Sequence, residues 1–194
     1  MDADLGMRLY RAGYRCRVLD STTWEEAPNR LPSWFRQRGR WLKGWMQTWI
    51  VHMRRPGVLC RQLGLRGFLG FQLLIGGMVM SAFLHPLFFI ILTGQVIAGD
   101  VFLGRHDWVS AAVIGIGAFN LAVGYVSAFA LAITGLSRRP MRHMMGEVAW
   151  LPVYWLFISV SAYRAAWELA RRPFHWEKTA HGLCRAVAPV PRLR

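Results

Sequence analysis

The sequence predicts a mainly α-helical membrane protein that carries, at its N-terminal end, a short remnant of an α/β domain. Three observations predict this. Residues 67–99 and 108–137 contain no Asp, Glu, Lys or Arg, and a hydrocarbon core of roughly 30 Å needs only about 20 helical residues to cross it. Positive charge gathers beside these stretches: nine Lys and Arg fall between residues 27 and 66, and no carboxylate occurs from Ala27 to Gly99. The first 26 residues pattern as one helix and one strand, too little to bury a core of their own. The mean hydropathy of +0.25 agrees with these observations, as do the 10 Trp and 11 Phe.

Asp2 to Ala12 reads as a helix, with Asp2 suited to its N-cap, Leu5, Leu9 and Tyr10 along one side, and Gly13 as its stop. Tyr14 to Val18 alternates apolar and basic residues and reads as a strand. Residues 31–53 form the next element, with Pro32 placed for a first helical turn. At 100° per residue, Trp34, Phe35, Trp41, Leu42, Trp45, Met46, Trp49 and Ile50 share one broad arc, opposed by Arg36, Arg40, Lys43 and Gln47. That pattern is an amphipathic helix for the membrane interface. Arg38 falls inside the apolar arc, so it must snorkel outward or the helix must break near Gly39.

His85-Pro86 should kink the first apolar run. The link after it carries Asp100 and Asp107 against one Arg, whereas the link after the second run carries Arg138, Arg139 and Arg142. The positive-inside rule puts the Arg-rich link and residues 1–66 in the cytoplasm. Val148 to Tyr163 is uncharged but short and contains Pro152; it reads as an in-plane or re-entrant helix, which leaves two transmembrane helices. Three dispersed cysteines (Cys16, Cys60, Cys184) argue for reducing surroundings rather than a disulfide frame. Residues 1–15 hold no apolar signal-peptide core. Net charge alone also suits nucleic acid, but basic residues flanking spans more commonly hold anionic lipid headgroups, at about 1 kcal/mol each. The lipid bilayer is the expected partner, and no nucleic acid.

On a helix Gln37, Arg40 and Trp41 stand at i, i+3 and i+4, so one face presents an amide, a guanidinium and an indole. A guanidinium fork suits diphosphate oxygens, and an indole face suits the C–H surface of a sugar ring. By spacing alone the same residues equally suit an aromatic interfacial belt with Arg40 on a lipid phosphate. Asp2-Ala3-Asp4 alone reads as a helix cap. His175 and His181, six apart with no further ligand at metal spacing, do not form a metal site.

In order along the chain, Asp2-Ala3-Asp4-Leu5-Gly6-Met7-Arg8-Leu9, Gly13-Tyr14 and Gln37-Arg38-Gly39-Arg40-Trp41 (a Gln-x-x-Arg-Trp motif) resemble the second half of the catalytic domain of membrane-embedded, processive family-2 glycosyltransferases. These are the enzymes of the cellulose-, chitin- and hyaluronan-synthase type. Met1 stands where the family has Glu. A looser match is Arg172 to Gly182, which resembles the family's loop that closes over the nucleotide and equally suits a solvated basic loop.

The resemblance implies the C-terminal part of an inverting enzyme that moves a sugar from a nucleotide-sugar donor to a growing envelope or extracellular glycan acceptor at the inner (plasma) membrane. It makes Asp2 the general base, and Gln37, Arg38, Arg40 and Trp41 the acceptor or donor-diphosphate contacts. Phe174, Trp176, Lys178, Thr179 and His181 become a gating loop. A divalent metal, Mg or Mn, is implied, with ligands outside this chain and none within it, so the chain alone should be inactive. The expected divisions are 1–30, the catalytic-domain remnant of an α/β nucleotide-sugar glycosyltransferase; 31–66, the interface helix with the motif; 67–137, two transmembrane helices; 138–171, a cytoplasmic link and in-plane or re-entrant helix; and 172–194, a cytoplasmic loop and tail, fraying from Ala186. The alternative is a non-enzymatic small membrane anchor or assembly partner that retains the same helical frame.

Overall fold

The computed structural model describes residues 2–17 (backbone only at residue 2), 19, 21, 27–99, 107–138 and 141–175. Its elements are helices α1 (Asp2–Arg11), α2 (Leu31–His52), α3 (Pro56–Phe71), a π-helical turn (Gln72–Gly76), α4 (Gly77–Ala98), α5 (Trp108–Ser137), a 3-10 segment (Arg142–Trp150) and α6 (Leu151–Arg171). No strand occurs among the described residues. Residues 14–17 lack regular structure, and Val18 lies outside the described residues. Alternation makes a strand only where a neighbour takes its backbone hydrogen bonds, and no described segment does so.

Prolines open α2, α3 and α6, where a missing N–H costs no intrahelical bond. Gly64 interrupts α3 at φ 68°, ψ 168°, a conformation open in practice only to glycine. Gly99 closes α4 at φ 77°. Across Pro86, α4 keeps helical backbone, so the departures from α geometry lie at Gly64 and the π turn instead of at His85-Pro86. His85 itself meets the Tyr125 hydroxyl of α5 at 3.0 Å.

Among the described residues, three stretches are long and apolar enough to cross a membrane: Pro56–Ala98, Trp108–Ser137 and Arg142–Arg171. Two spans were expected. The difference is the third, where the uncharged core of 148–163 is extended at both ends by helix containing Arg142, Glu147, Arg164 and Glu168. Most large apolar residues of α4 and α5 face outward, including Ile97, Phe119 and Leu131, as a lipid-facing surface requires.

The core sits where α2, α4 and α6 meet. Leu42 and Met46 pack against Ala82, Ala162 and Ala165, with Trp45 and Phe83 around them. Small residues allow the close helix approach that drives packing in lipid. A second cluster, Leu59, Leu63 and Phe71, takes Met7 of α1 against α3.

The α2 and α6 helices run side by side in the same direction. Trp34 meets Tyr154, Phe35 meets Phe157, and further along Gln47 meets Pro173. Against α4, by contrast, α6 crosses steeply. Trp155 lies beside His85 and Tyr163 donates to the Phe83 carbonyl, so about 12 Å of α6 spans only about 3 Å of α4 at the helical rise.

Candidate functional site

At 100° per residue, the face of α2 that carries Gln37, Arg40 and Trp41 continues through Gly44, Gln47, Thr48 and Val51. Gln37 and Arg40 are half-buried there, and Trp41 is 43% exposed. Two turns beyond the motif, this face forms the floor of a groove of about 420 Å³. Asp4 and Arg8 of α1 make one wall, Leu169, Pro173 and Phe174 another, and Arg54 lies at the edge. Three segments singled out separately in the sequence thus converge on one cavity: the α1 segment, the motif helix and the start of the C-terminal loop.

Asp2 is the first residue of α1, and its side chain lies outside the described residues. So do Trp176, Lys178, Thr179 and His181 and the tail after them. Phe174 is described and is 97% exposed at the groove.

Arg38 neither snorkels nor breaks the helix. α2 runs unbroken through a buried Gly39, and the Arg38 guanidinium lies 4.5 Å from the Trp41 ring centre, 5.7 Å from Trp34 and 5.8 Å from Tyr154. Aromatic faces solvate a cation electrostatically, which is why a charge is tolerated inside the apolar arc. Its Nε is buried with no hydrogen-bond partner among the described residues.

Lys43 also departs from its expected place on the basic outer face. It is only 2% exposed, and its ammonium donates to the carbonyls of Arg172 at 2.7 Å and His175 at 2.8 Å. Periodicity places it correctly on the polar side of α2, but the end of α6 covers that side. The one available signal was composition: Lys43 is one of only two lysines in a chain whose other Lys and Arg positions are all arginine.

The sequence reading missed a polar network that seats α1. His52 is 3% exposed; Arg11 donates to its Nδ1 at 2.8 Å, and its Nε2 faces the Asp4 carboxylate at 3.1 Å. With Nδ1 accepting, the ring is the neutral Nε2–H tautomer. Burial, helped by the charge of Arg11, lowers the His52 pKa against the opposing pull of Asp4. Burial alone would raise the Asp4 carboxyl, but the hydrogen bond and charge of Arg8, with His52, outweigh it and hold it below its ordinary value. Arg11 also donates to Gln62 of α3. The only hint in the sequence was a lone His at the end of an aromatic helix.

Among the described residues no group of three or more His, Cys, Asp or Glu side chains converges to hold a metal. No curated protein and no solved structure matches the chain. The family model for glycosyl transferase family group 2 matches residues 1–136, from α1 to the last turn of α5 and more than half of the sequence, and the chain belongs to that family.

Proposed function

We propose that this chain supplies the acceptor side and the membrane portion of an inverting, processive glycosyltransferase that transfers sugar from a nucleotide-sugar donor to a growing envelope or extracellular glycan. Membership of the family supports glycosyl transfer. The observation that carries the rest is the groove, where α1, the continuing face of the Gln-x-x-Arg-Trp helix and Phe174 meet.

In this reading Asp2, at the start of α1, takes the proton from an acceptor hydroxyl as that oxygen attacks the anomeric carbon in line. Arg40 and Gln37 stabilise the departing diphosphate by charge-assisted and amide hydrogen bonds. Trp41, exposed beside them, offers its ring face to the acceptor sugar. Arg38 acts one layer back, holding the Trp41 ring through its cation–π contact instead of contacting the diphosphate. Phe174, Trp176, Lys178, Thr179 and His181 are assigned to gating of the donor; of these, Phe174 lies within the described residues. The described residues provide no ligand set for Mg or Mn, so no step is assigned to a metal held here.

The packing supports one topology. Because α6 runs along amphipathic α2 and crosses α4 steeply, we place α2 and α6 together in the cytoplasmic interface of the inner membrane. Two spans then remain, one ending in α4 and one in α5. An anchor or assembly role would need the same frame but no groove joining α1, the motif helix and Phe174; Gln37, Arg40 and Trp41 themselves lie outside its lining.

The test is turnover and donor binding in the enzyme in its own membranes. Asp2→Asn should abolish transfer while donor binding persists; retained turnover removes Asp2 as the base. Trp41→Ala should lower turnover by about 10²-fold, with donor affinity changed far less. Equal loss of both would return Trp41 to the interfacial belt.

A further inference from the structure

The C-terminal end of α6 is gripped by the motif helix. A helix end leaves its last carbonyls without intrahelical partners and carries partial negative charge. Here Lys43 meets that end from a fully buried position, with two of its three ammonium protons on the Arg172 and His175 carbonyls. One turn further along α2, the Gln47 amide donates to the Pro173 carbonyl at 2.9 Å. Residues 172–175 also close a turn of their own, the His175 N–H donating to the Arg172 carbonyl at 3.1 Å. Three side-chain bonds from α2 therefore hold a preformed turn whose exposed member, Phe174, lines the groove. Burying an ammonium is costly unless it is satisfied, so this contact is one the fold would discard were it not supplied with those carbonyls.

We propose that Lys43 and Gln47 are positioning residues: they latch the stem of the C-terminal loop to the motif helix and thereby hold Phe174 over the groove. The inference rests on the groove reading given above for the loop's role, but the latch itself is a separate, physical claim. Lys43 lies outside the groove's lining, and Gln47, which lines it, spends its amide N–H on the Pro173 carbonyl. Both act through the backbone of 172–175, so a change on α2 near the motif is felt by the loop, and the reverse.

Chymotrypsin cleavage after Phe174 in the membrane-bound protein, read with an antibody to the tail, tests the latch. Cleavage after the exposed Tyr14 serves as the internal control for general unfolding. Lys43→Met keeps the aliphatic stem and removes the donors, and should speed cleavage at Phe174 about tenfold without changing it at Tyr14. Gln47→Leu should raise it less, and Lys43→Arg should restore it. Kinetically, Lys43→Met should raise the donor KM several-fold at near-normal kcat, and Lys43→Arg should reverse that.

Unchanged cleavage at Phe174 in both variants overturns the latch. If Lys43→Met also speeds cleavage at the already exposed Tyr14, the variant is broadly unfolded and Gln47→Leu decides: wild-type cleavage at Phe174 overturns the proposal, and selectively faster cleavage at Phe174 supports it. Selective cleavage with an unchanged donor KM keeps the latch but overturns its part in the reaction. Retained turnover in Asp2→Asn, by contrast, would sink the catalytic reading and leave the latch standing.

Discussion

Replacing Arg38 by Met should cost little stability, although the guanidinium touches three aromatic rings. The nearest ring centre, Trp41, is at 4.5 Å, and those of Trp34 and Tyr154 are at 5.7 and 5.8 Å, close to the outer limit of such contacts. Counting about 1 kcal/mol for the first and about 0.5 kcal/mol for each of the others gives about 2 kcal/mol lost. Against this stands the buried, unpartnered Nε, whose removal returns roughly 1–2 kcal/mol of desolvation penalty. A methionine keeps an apolar stem among the rings, so the net change should lie within about 1 kcal/mol, or roughly 2–4 °C in Tm for a chain of this size. Arg38→Ala forfeits the stem as well and should cost about 2 kcal/mol or more. Thermal unfolding in mild detergent, comparing both variants with wild type, measures the difference. A loss above about 2 kcal/mol in Arg38→Met would refute the reasoning, since it would mean that Nε has a partner and the cation contributes more than ring contacts. A large fall in donor affinity with stability intact would make Arg38 a ligand contact.

The seat of α1 should be acid-sensitive. The folded His52 pKa lies below its ordinary value of 6.5, so the unfolded state takes up the proton first. The stabilisation is complete above pH 6.5 and is lost as pH falls through the folded pKa. Asp4, also lowered, adds a further loss only as pH drops below its ordinary 3.8. Amide exchange in α1, corrected for intrinsic rates, should therefore accelerate between pH 7.5 and 5.5, and His52→Gln should flatten that rise. Single cysteines placed at Trp150 and Trp167, at the two ends of the third apolar stretch, should react with an impermeant reagent from the same side of the membrane. Labelling from opposite sides would make α6 a true span and remove the in-plane placement.

Much of the frame was legible because local rules decide it. The charge-free runs, the prolines at helix starts and the 3.6-residue period of α2 each act within a few residues. Whatever depended on a partner was not legible. Lys43 lies on the polar face by angle, yet the end of α6, 129 residues further on, covers that face. Arg38 was placed in the apolar arc correctly, but Tyr154, which completes its aromatic surroundings, comes from another helix. The alternation at Tyr14 to Val18 is a property of the side chains, whereas a strand is a property of a pair. Counting only uncharged residues shortened the third apolar helix, because charges near helix ends can reach the interface and do not forbid a crossing by length. For the site, Gln37, Arg40 and Trp41 sharing one face follows from spacing alone. The groove two turns further on needed α1 and Phe174 to arrive from both ends of the chain.

The shared rod of α2 has a consequence for residues that touch no substrate. One of its faces carries the motif and the groove floor, a second packs Leu42 and Met46 against Ala162 and Ala165, and a third holds residues 172–175 through Lys43. Ala162 and Ala165 have no exposed surface, so a larger side chain there cannot turn outward and must push α6 away from α2. Ala162→Leu should therefore cost about 1–3 kcal/mol by overpacking. Because Lys43 and the turn at 172–175 sit on opposite sides of that widened interface, the variant should also raise cleavage after Phe174 more than cleavage after Tyr14. A variant that loses stability while both cleavages rise together would show that the α2–α6 contact holds the whole frame and does not transmit specifically to the loop. A selective rise at Phe174 would show that helix spacing, set by two alanines packed on the buried face of α2, governs where residues 172–175 stand.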